Sequence, residues 1–261
     1  MMCARRGWPG RLTAALTAAI VLAACVNAPQ ASGSQPVRFR SPAVSPSAHP
    51  SPSPPASGPS ADQLLVPSQL IDPGLDLRAG PVDLPLELKI PSLRISAPVL
   101  GVGINSKNVM DTPTGSANDP VWQKVFWYRG GGVPGKASTA TIAGHVDDVL
   151  GRPAIFARLG KLRSGDPIVV HDNRTGLDAN FLVTETVTYT LQQTLDPAVL
   201  ARVYGPGPIA GQGPQPSSDG FSHLTLITCT GHWVNGWGTY DHRLVVYAVS
   251  LPSFTPRGLR S

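Results

Sequence analysis

The chain has 261 residues, of which 41% are hydrophobic and 14% are charged, so it can hold one domain with a sizeable core plus appended segments. Its 27 glycines and 28 prolines are too many for a helix-rich fold and favour short strands joined by turns. The net charge of +5 does not indicate nucleic-acid binding, because it falls to +2 without residues 1–24 and no basic run with interleaved aromatic residues remains.

The first 24 residues have the organisation of an export signal. A basic segment precedes the apolar run LTAALTAAIVLAA, which is shorter than the roughly 20 residues of a membrane span. The run leads into LAAC, which resembles a bacterial lipobox and implies cleavage before Cys25 and a lipid on its sulfur. The alternative is an uncleaved signal anchor in which Cys25 has no role. Either arrangement puts the following domain outside the cytoplasmic membrane, and an acylated Cys25 could not form a disulfide with Cys229.

Residues 25–81 are predicted to be a disordered tether. They are rich in serine, proline and alanine, and the stretch SPAVSPSAHPSPSPPASGPSA has no apolar period that could build a core. A polyproline-like spacer of about 50 residues reaches on the order of 100 Å. Such a reach suits a protein that works within a thick cell wall.

An ordered domain is predicted over residues 82–251, followed by a short tail over residues 252–261. Its first segment, VDLPLELKI, alternates apolar and polar residues and contains proline, which predicts an edge strand. Further strands are predicted near residues 138–146, 167–172, 179–191, 221–229 and 243–251, with one short helical turn around ARLG. Seven or eight short strands without a long amphipathic helix predict an all-β fold, either a closed barrel or a sandwich.

Cys229 ends the apolar strand HLTLITC, and Arg243 opens the next predicted strand. If the two strands pair in antiparallel fashion, the two residues meet at one end of the fold, although alternation alone does not show that they share a face. A thiolate nucleophile is favoured by a nearby cation, and an arginine can also stabilise the oxyanion formed when a carbonyl is attacked. Four histidines of the ordered region are candidates for the acid/base: His145, His171, His223 and His232.

Three segments resemble the catalytic blocks of bacterial sortases: TIAGHVD (141–147), TLITC (225–229) and YDHRLVVYA (240–248). The flanking segments VFWYRGGGVPGKAS and GRPAIFARLGKLRSGDPIVV are similar to the actinobacterial class E and F enzymes, class F above all. The resemblance covers about residues 85–250, nearly the whole predicted domain.

The resemblance implies the closed eight-stranded sortase β-barrel with short helical turns. By motif position, Cys229 is the nucleophile, His145 the acid/base and Arg243 the oxyanion or substrate-backbone donor, while Thr228 flanks the nucleophile in the substrate groove. The family cleaves an LPxTG-type sorting signal between Thr and Gly through a thioester, and transfers the acyl group to an amine of the cell wall or of a pilin. No cofactor is implied, and no acidic cluster matches the calcium site known in some sortases. The expected location is the extracytoplasmic face of the membrane, with an N-terminal anchor.

Several alternatives stay open at the level of residues. His232 is a rival base because it follows Cys229 by three positions. Asp147 and Asp148 could orient His145 as the third member of a triad, but carboxylates at a turn more often cap the backbone, so neither is placed in the predicted catalytic set. A zinc site made of Cys229, His232 and His145 lacks the usual ligand spacing, and no metal is predicted.

Two other functions are compatible with parts of the sequence. L,D-transpeptidases are also cell-wall cysteine acyltransferases, but they place an arginine almost directly after the cysteine, where this chain has CTGHW. The second alternative is a catalytically inactive lipoprotein that binds a peptide, although the presence of the cysteine, the histidine and the arginine argues against a loss of activity. Sortases are usually held by an N-terminal or C-terminal transmembrane helix, whereas this chain has the lipobox-like LAAC, which leaves the manner of anchoring open.

Overall fold

The computed structural model describes residues 76–209 and 211–250. The predicted export signal, Cys25, most of the tether and the predicted tail lie outside the described residues, and the predicted domain boundaries stay predictions. The eight strands are β1 (Val82–Ile90), β2 (Ile95–Val102), β3 (Val125–Tyr128), β4 (Thr139–Gly144), β5 (Pro167–Asp172), β6 (Asp178–Thr190), β7 (His223–Val234) and β8 (Thr239–Ser250). The helices are α1 (Pro197–Tyr204), α2 (Pro206–Ile209) and the short 3-10 segments Pro91–Leu93, Pro120–Gln123, Leu159–Lys161 and Gln193–Leu195.

The strands close into a barrel in the order β1-β2-β3-β4-β7-β8-β6-β5. The β2–β3 and β4–β7 pairs are parallel, and the other pairs are antiparallel. The prediction of a closed, eight-stranded all-β barrel with short helical segments is therefore confirmed.

The prediction that the first strand is an edge strand is wrong, because β1 pairs with β2 on one side and with β5 on the other. Pro85 is tolerated because the register with β2 shifts between Asp83 and Glu87, so its missing N–H falls at an irregularity of the ladder. Closure of the barrel by β5 removes the free edge that the prolines indicated.

Two hydrophobic clusters follow from the alternation of side chains along the strands. The first cluster contains alternate residues of all eight strands, among them Leu88, Trp127 and Leu226, and fills the barrel. The second contains intervening residues of β2, β3, β4, β7 and β8, such as Phe126 and Ile227, and lies on the outer face of the sheet. This outer cluster is buried because loops and α1 cover that face.

Helix α1 was missed by the sequence analysis. It begins at Pro197, and the carboxylate of Asp196 caps it by accepting a hydrogen bond from the backbone N–H of Ala198 at 2.7 Å. The hydroxyl of Thr141 in β4 donates to the carbonyl of Val203 at 2.6 Å and ties the helix to the barrel. Across residues 76–209 and 211–250, no helix combines the length and apolar character needed to cross a membrane.

Candidate active site

The register of three neighbouring strands brings the predicted catalytic residues together. Cys229 of β7 lies directly opposite Arg243 of β8. Ala143 of β4 lies opposite Ile227 of β7, so the same register extended by two residues sets His145 level with Cys229. Alternation places all three on the outer face of the barrel. They are buried there, with exposed fractions of 3% for Cys229, 3% for Arg243 and 4% for His145.

The His145 ring is held by aromatic contacts and one hydrogen bond. Its centroid lies 4.8 Å from that of Trp122 and 5.3 Å from that of Phe126. Its Nε2 is 2.9 Å from the carbonyl oxygen of Pro113. Because a carbonyl oxygen only accepts, Nε2 carries a proton and Nδ1 is the nitrogen that gains or loses one.

Three effects act on the ionisation of His145. Burial lowers the pKa of the imidazole because it penalises the charged form, and this effect is the largest. The hydrogen bond to the Pro113 carbonyl and the negative charge of Asp147 both raise the pKa, and the result remains below the usual 6.5. The net effect favours the neutral imidazole, whose Nδ1 can accept a proton and return it, as an acid/base must.

Arg243 is fixed by the first residues of its own strand. Its Nη1 donates to the carbonyls of Tyr240 at 3.0 Å and His242 at 2.9 Å, and its Nη2 donates to the Thr239 hydroxyl at 3.0 Å. Burial lowers the pKa of the guanidinium to about 10, while neighbouring Tyr204 favours the charged form. Arg243 is therefore still a cation at neutral pH, directly across the ladder from Cys229.

Cys229 is disulfide-bonded in this structure. Since a thiolate is the attacking species in nucleophilic cysteine chemistry, any catalytic role belongs to the reduced residue. Arg243, directly across the ladder, is the kind of neighbouring cation that supports thiolate chemistry at a reduced cysteine.

Thr228 lies on the opposite side of β7 from Cys229. Its hydroxyl donates to the carbonyl of Gly144 at 2.8 Å, and Gly144 directly precedes His145. Gly144 itself permits a close approach of Phe156, whose Cδ2 lies 2.5 Å from where a Cβ would be. The role of Thr228 in substrate binding stays a prediction, and the contact that the structure shows is one that holds the segment before His145.

The other candidate histidines do not join this cluster. The ring of His171 contacts Asp178 at 2.6 Å on the β5–β6 hairpin, and β5 is not a neighbour of β7. His223 is at the other end of β7 and contacts Asp219 at 3.0 Å. His232 follows Cys229 on β7, but its side chain is 94% exposed.

An apolar cavity of about 630 Å³ adjoins the site on the outer face. Arg243 lines it, together with Ile227 and Val245 of the barrel, while Cys229 and His145 lie outside its lining. Residues of α1, the 104–110 loop and the exposed side chains of Leu195 and Trp237 form the rest of the wall. The part of the cavity wall that α1 forms was not predicted from the sequence, because α1 itself was not predicted. The Asp196–Pro197 pair is nevertheless a signal of a helix start.

Among residues 76–209 and 211–250, no group of three or more His, Cys, Asp or Glu side chains is arranged to hold a metal ion.

The family model described as Sortase domain matches residues 88–251. No curated protein matches the chain significantly.

Similar solved structures include a lid mutant of sortase A from Corynebacterium diphtheriae, with 20% identity over 69% of this chain and 76% of the other, at a TM-score of 0.43. Sortase C-1 from Actinomyces oris has 22% identity over 64% of this chain and 73% of its own, at a TM-score of 0.42. Sortase C from Clostridium perfringens has 17% identity over 64% of this chain and 68% of its own, at a TM-score of 0.40.

Proposed function

Because this chain belongs to the sortase family, we propose that it is a class F-like cysteine transpeptidase. In this proposal it cleaves an LPxTG-like sorting signal between Thr and Gly, and transfers the acyl part to an amine of the cell wall or of a pilin. The observation that carries the proposal is the cross-strand pair of Cys229 and Arg243, with His145 directly after the adjoining strand β4 and level with Cys229 in the extended register.

The first half of the reaction forms a thioester. The Cys229 thiolate attacks the carbonyl carbon of the signal's threonine, and the carbonyl oxygen takes up the negative charge. When the tetrahedral intermediate collapses, the C–N bond to glycine breaks. Protonated Nδ1 of His145 gives its proton to the leaving amine, so the glycine fragment departs as a neutral amine.

The second half runs the same proton transfer in reverse. The incoming amine attacks the thioester carbon, and Nδ1 of His145 takes the proton that the nitrogen loses as the new amide forms. The C–S bond breaks and Cys229 leaves as a thiolate. One buried imidazole serves both halves, because Nδ1 gives up a proton in the first half and regains one in the second.

Arg243 supplies the positive charge that both halves need. It is a permanent cation across from the nucleophile, and three hydrogen bonds to its own strand hold the guanidinium in place. A donor fixed before the reaction stabilises an oxyanion without reorganising. Its other role in this proposal is to donate to the backbone of the bound signal.

The apolar cavity supports binding of the apolar part of the sorting signal. Arg243 forms one part of its wall, so a peptide bound there would extend towards the Cys229–Arg243 pair. The apolar lining residues, such as Val199 and Val245, suit the leucine and proline of an LPxTG-like sequence.

The test uses the full chain in detergent under reducing conditions with a fluorogenic LPxTG peptide. We expect cleavage that is faster with hydroxylamine, a thioester on Cys229 detectable by mass spectrometry, and no turnover by Cys229→Ala. Turnover of that variant at the wild-type rate would refute the assignment. Stoichiometric peptide binding without a thioester would favour the inactive peptide-binding protein, and 3→3 muropeptide cross-links would favour an L,D-transpeptidase.

For anchoring, we propose that Cys25 carries a lipid that holds the enzyme at the outer face of the cytoplasmic membrane. The LAAC sequence after a short apolar run supports this. Mass spectrometry of the mature N-terminus tests it: a chain that begins at a diacylglyceryl-modified Cys25 is expected. An intact Met1 or an unmodified Cys25 would contradict lipidation.

A further inference from the structure

One hydrogen bond joins the segment after His145 to the start of β8. The hydroxyl of Tyr240 donates to Oδ2 of Asp147 at 2.5 Å, across 93 positions of the chain. Asp147 lies two residues after His145, and Tyr240 lies three residues before Arg243. The contact therefore links the two segments that carry the acid/base and the cation.

Both partners of this hydrogen bond are held from their own side. The backbone of Asp147 forms a β-bridge with Pro153, which closes the loop after His145. Tyr240 is paired across the β7–β8 ladder with Trp233, and their rings meet edge to face with centroids 5.4 Å apart. The backbone of Asp147 is thus fixed by the bridge, and its carboxylate is held by the Tyr240 hydroxyl.

The neighbouring carboxylate has a different task. Asp148 accepts hydrogen bonds from the backbone N–H groups of Leu150 at 2.8 Å and Arg152 at 3.0 Å, and from Nε of Arg152 at 2.6 Å. Its charge is therefore neutralised within its own turn. Asp148 is therefore the capping residue of the loop, whereas the Asp147 carboxylate accepts from Tyr240 of β8.

We propose that Asp147 is a positioning residue for the transpeptidation reaction, in which Tyr240 holds its carboxylate so that its charge stabilises the protonated form of His145. This inference rests on the proposed function, because it matters only where His145 must carry a proton to the leaving amine. In that reaction the proton moves only between Nδ1 of His145 and the substrate nitrogen.

The surroundings of His145 make Asp147 the carboxylate that opposes burial. Trp122, Phe126 and the Pro113 carbonyl contact the ring and bring no charge. The ionisable residues level with it on β7 and β8 are Cys229 and Arg243. Burial lowers the pKa of His145 and the charge of Asp147 raises it, so loss of that charge leaves the imidazole harder to protonate.

The experiment measures the titration of His145 directly. The reduced full chain in detergent, labelled at its histidine rings and carrying Cys229→Ala to remove coupled titration, is followed by NMR over pH 4 to 9. We expect Asp147→Asn to lower the pKa of His145 by about one unit. Asp147→Glu, which restores the charge, should recover part of that shift. An unchanged His145 titration in a folded Asp147→Asn protein would overturn the proposal.

Asp178→Asn is the matched control, since it removes a carboxylate that contacts His171 on the distant β5–β6 hairpin. Asp178→Asn should leave the pKa of His145 unchanged. Tyr240→Phe tests the positioning step: it should lower the pKa of His145 alone and add nothing in the Asp147→Asn background. Independent, additive shifts from the two substitutions would contradict action through one contact.

Turnover is measured separately with Cys229 intact. Asp147→Asn should lower kcat by up to about tenfold with KM unchanged, since one pKa unit changes the ratio of protonated to neutral imidazole tenfold. The two proposals fail in different ways. An inactive wild-type chain with the expected His145 shift would contradict the transpeptidase, whereas an active chain without that shift would contradict the role of Asp147.

Discussion

Cys229 and Arg243 are direct cross-strand partners in the antiparallel ladder of β7 and β8, and both are almost completely buried on the outer face of the barrel. Their pairing depends on the core. Leu224 and Leu226 of β7 point into the barrel, so Cys229 must point outward with Ile227. A one-residue slip of β7 would turn the thiol inward and remove those leucines from the barrel interior, so the packing of the barrel enforces the register of the site.

Arg243→Lys is expected to lower kcat/KM for peptide cleavage by about 10²-fold or more. Lysine keeps the charge, but it cannot reproduce the guanidinium fork that binds Tyr240, His242 and Thr239 while facing the nucleophile. Arg174→Lys, at the β5–β6 hairpin, is the matched control and should retain wild-type kinetics. A fall of less than about threefold in Arg243→Lys would show that charge alone suffices.

Thr228→Val separates two roles for this residue. If the hydroxyl chiefly holds the Gly144 carbonyl, its loss should reduce the free energy of unfolding by about 1–3 kcal/mol and lower kcat while KM stays constant. Thr228→Ser keeps the hydroxyl and should restore both. A rise in KM without loss of stability would instead show the direct substrate contact that the motif predicts. Urea unfolding and steady-state kinetics on the same preparations give both quantities.

The rim of the cavity offers a test of peptide binding that leaves the core intact. Leu195 and Trp237 line the cavity with side chains that are largely exposed, so Leu195→Ser and Trp237→Ala should fold normally. Each is expected to raise KM for an LPxTG peptide up to about tenfold, which corresponds to about 1.4 kcal/mol of lost apolar contact. Leu177→Ser, an exposed leucine elsewhere on the barrel, is the control. Unchanged KM in both rim variants would argue against binding in this cavity.

Local alternation predicted an all-β fold, either a barrel or a sandwich, and the resemblance to sortases predicted the closed barrel and the candidate site residues. Alternation along HLTLITC and the motif around His145 are visible in a few consecutive residues. The shared face of Cys229 and Arg243 was not predictable, since it depends on the register between strands. The free edge predicted for β1 was wrong for the same reason, because its pairing with β5 depends on closure of the whole barrel.

The contact between Asp147 and Tyr240 shows a further limit. Each residue alone is unremarkable in sequence, and Asp147 follows the acid/base where turn-capping carboxylates are common. Only the fold brings them within hydrogen-bonding distance across 93 positions. In contrast, the start of α1 has a local sequence signal in Asp196 and Pro197. The helix was not predicted because its eight residues are too few to show a clear amphipathic pattern.

Burial of His145 should make the stability of the protein fall as the pH drops below about 6.5. The folded protein holds this imidazole at a pKa below its usual 6.5, so in that range the unfolded chain takes up a proton that the folded chain resists. The free energy of unfolding therefore decreases from pH 6.5 down through the folded pKa, by about 1.4 kcal/mol for each unit of difference between the two pKa values.

His145→Gln tests this dependence, because an amide can still donate to the Pro113 carbonyl but does not titrate. Its stability relative to the wild type should improve as the pH falls from 7.5 to 5, in urea unfolding of the reduced proteins. Carboxylates do not interfere: burial would raise the pKa of Asp148, but hydrogen bonds from Arg152 and Leu150 keep it below the usual 3.8. Its stabilisation is therefore lost only at more acidic pH. A constant difference between wild type and His145→Gln from pH 7.5 to 5 would show that folding leaves the proton affinity of His145 unchanged.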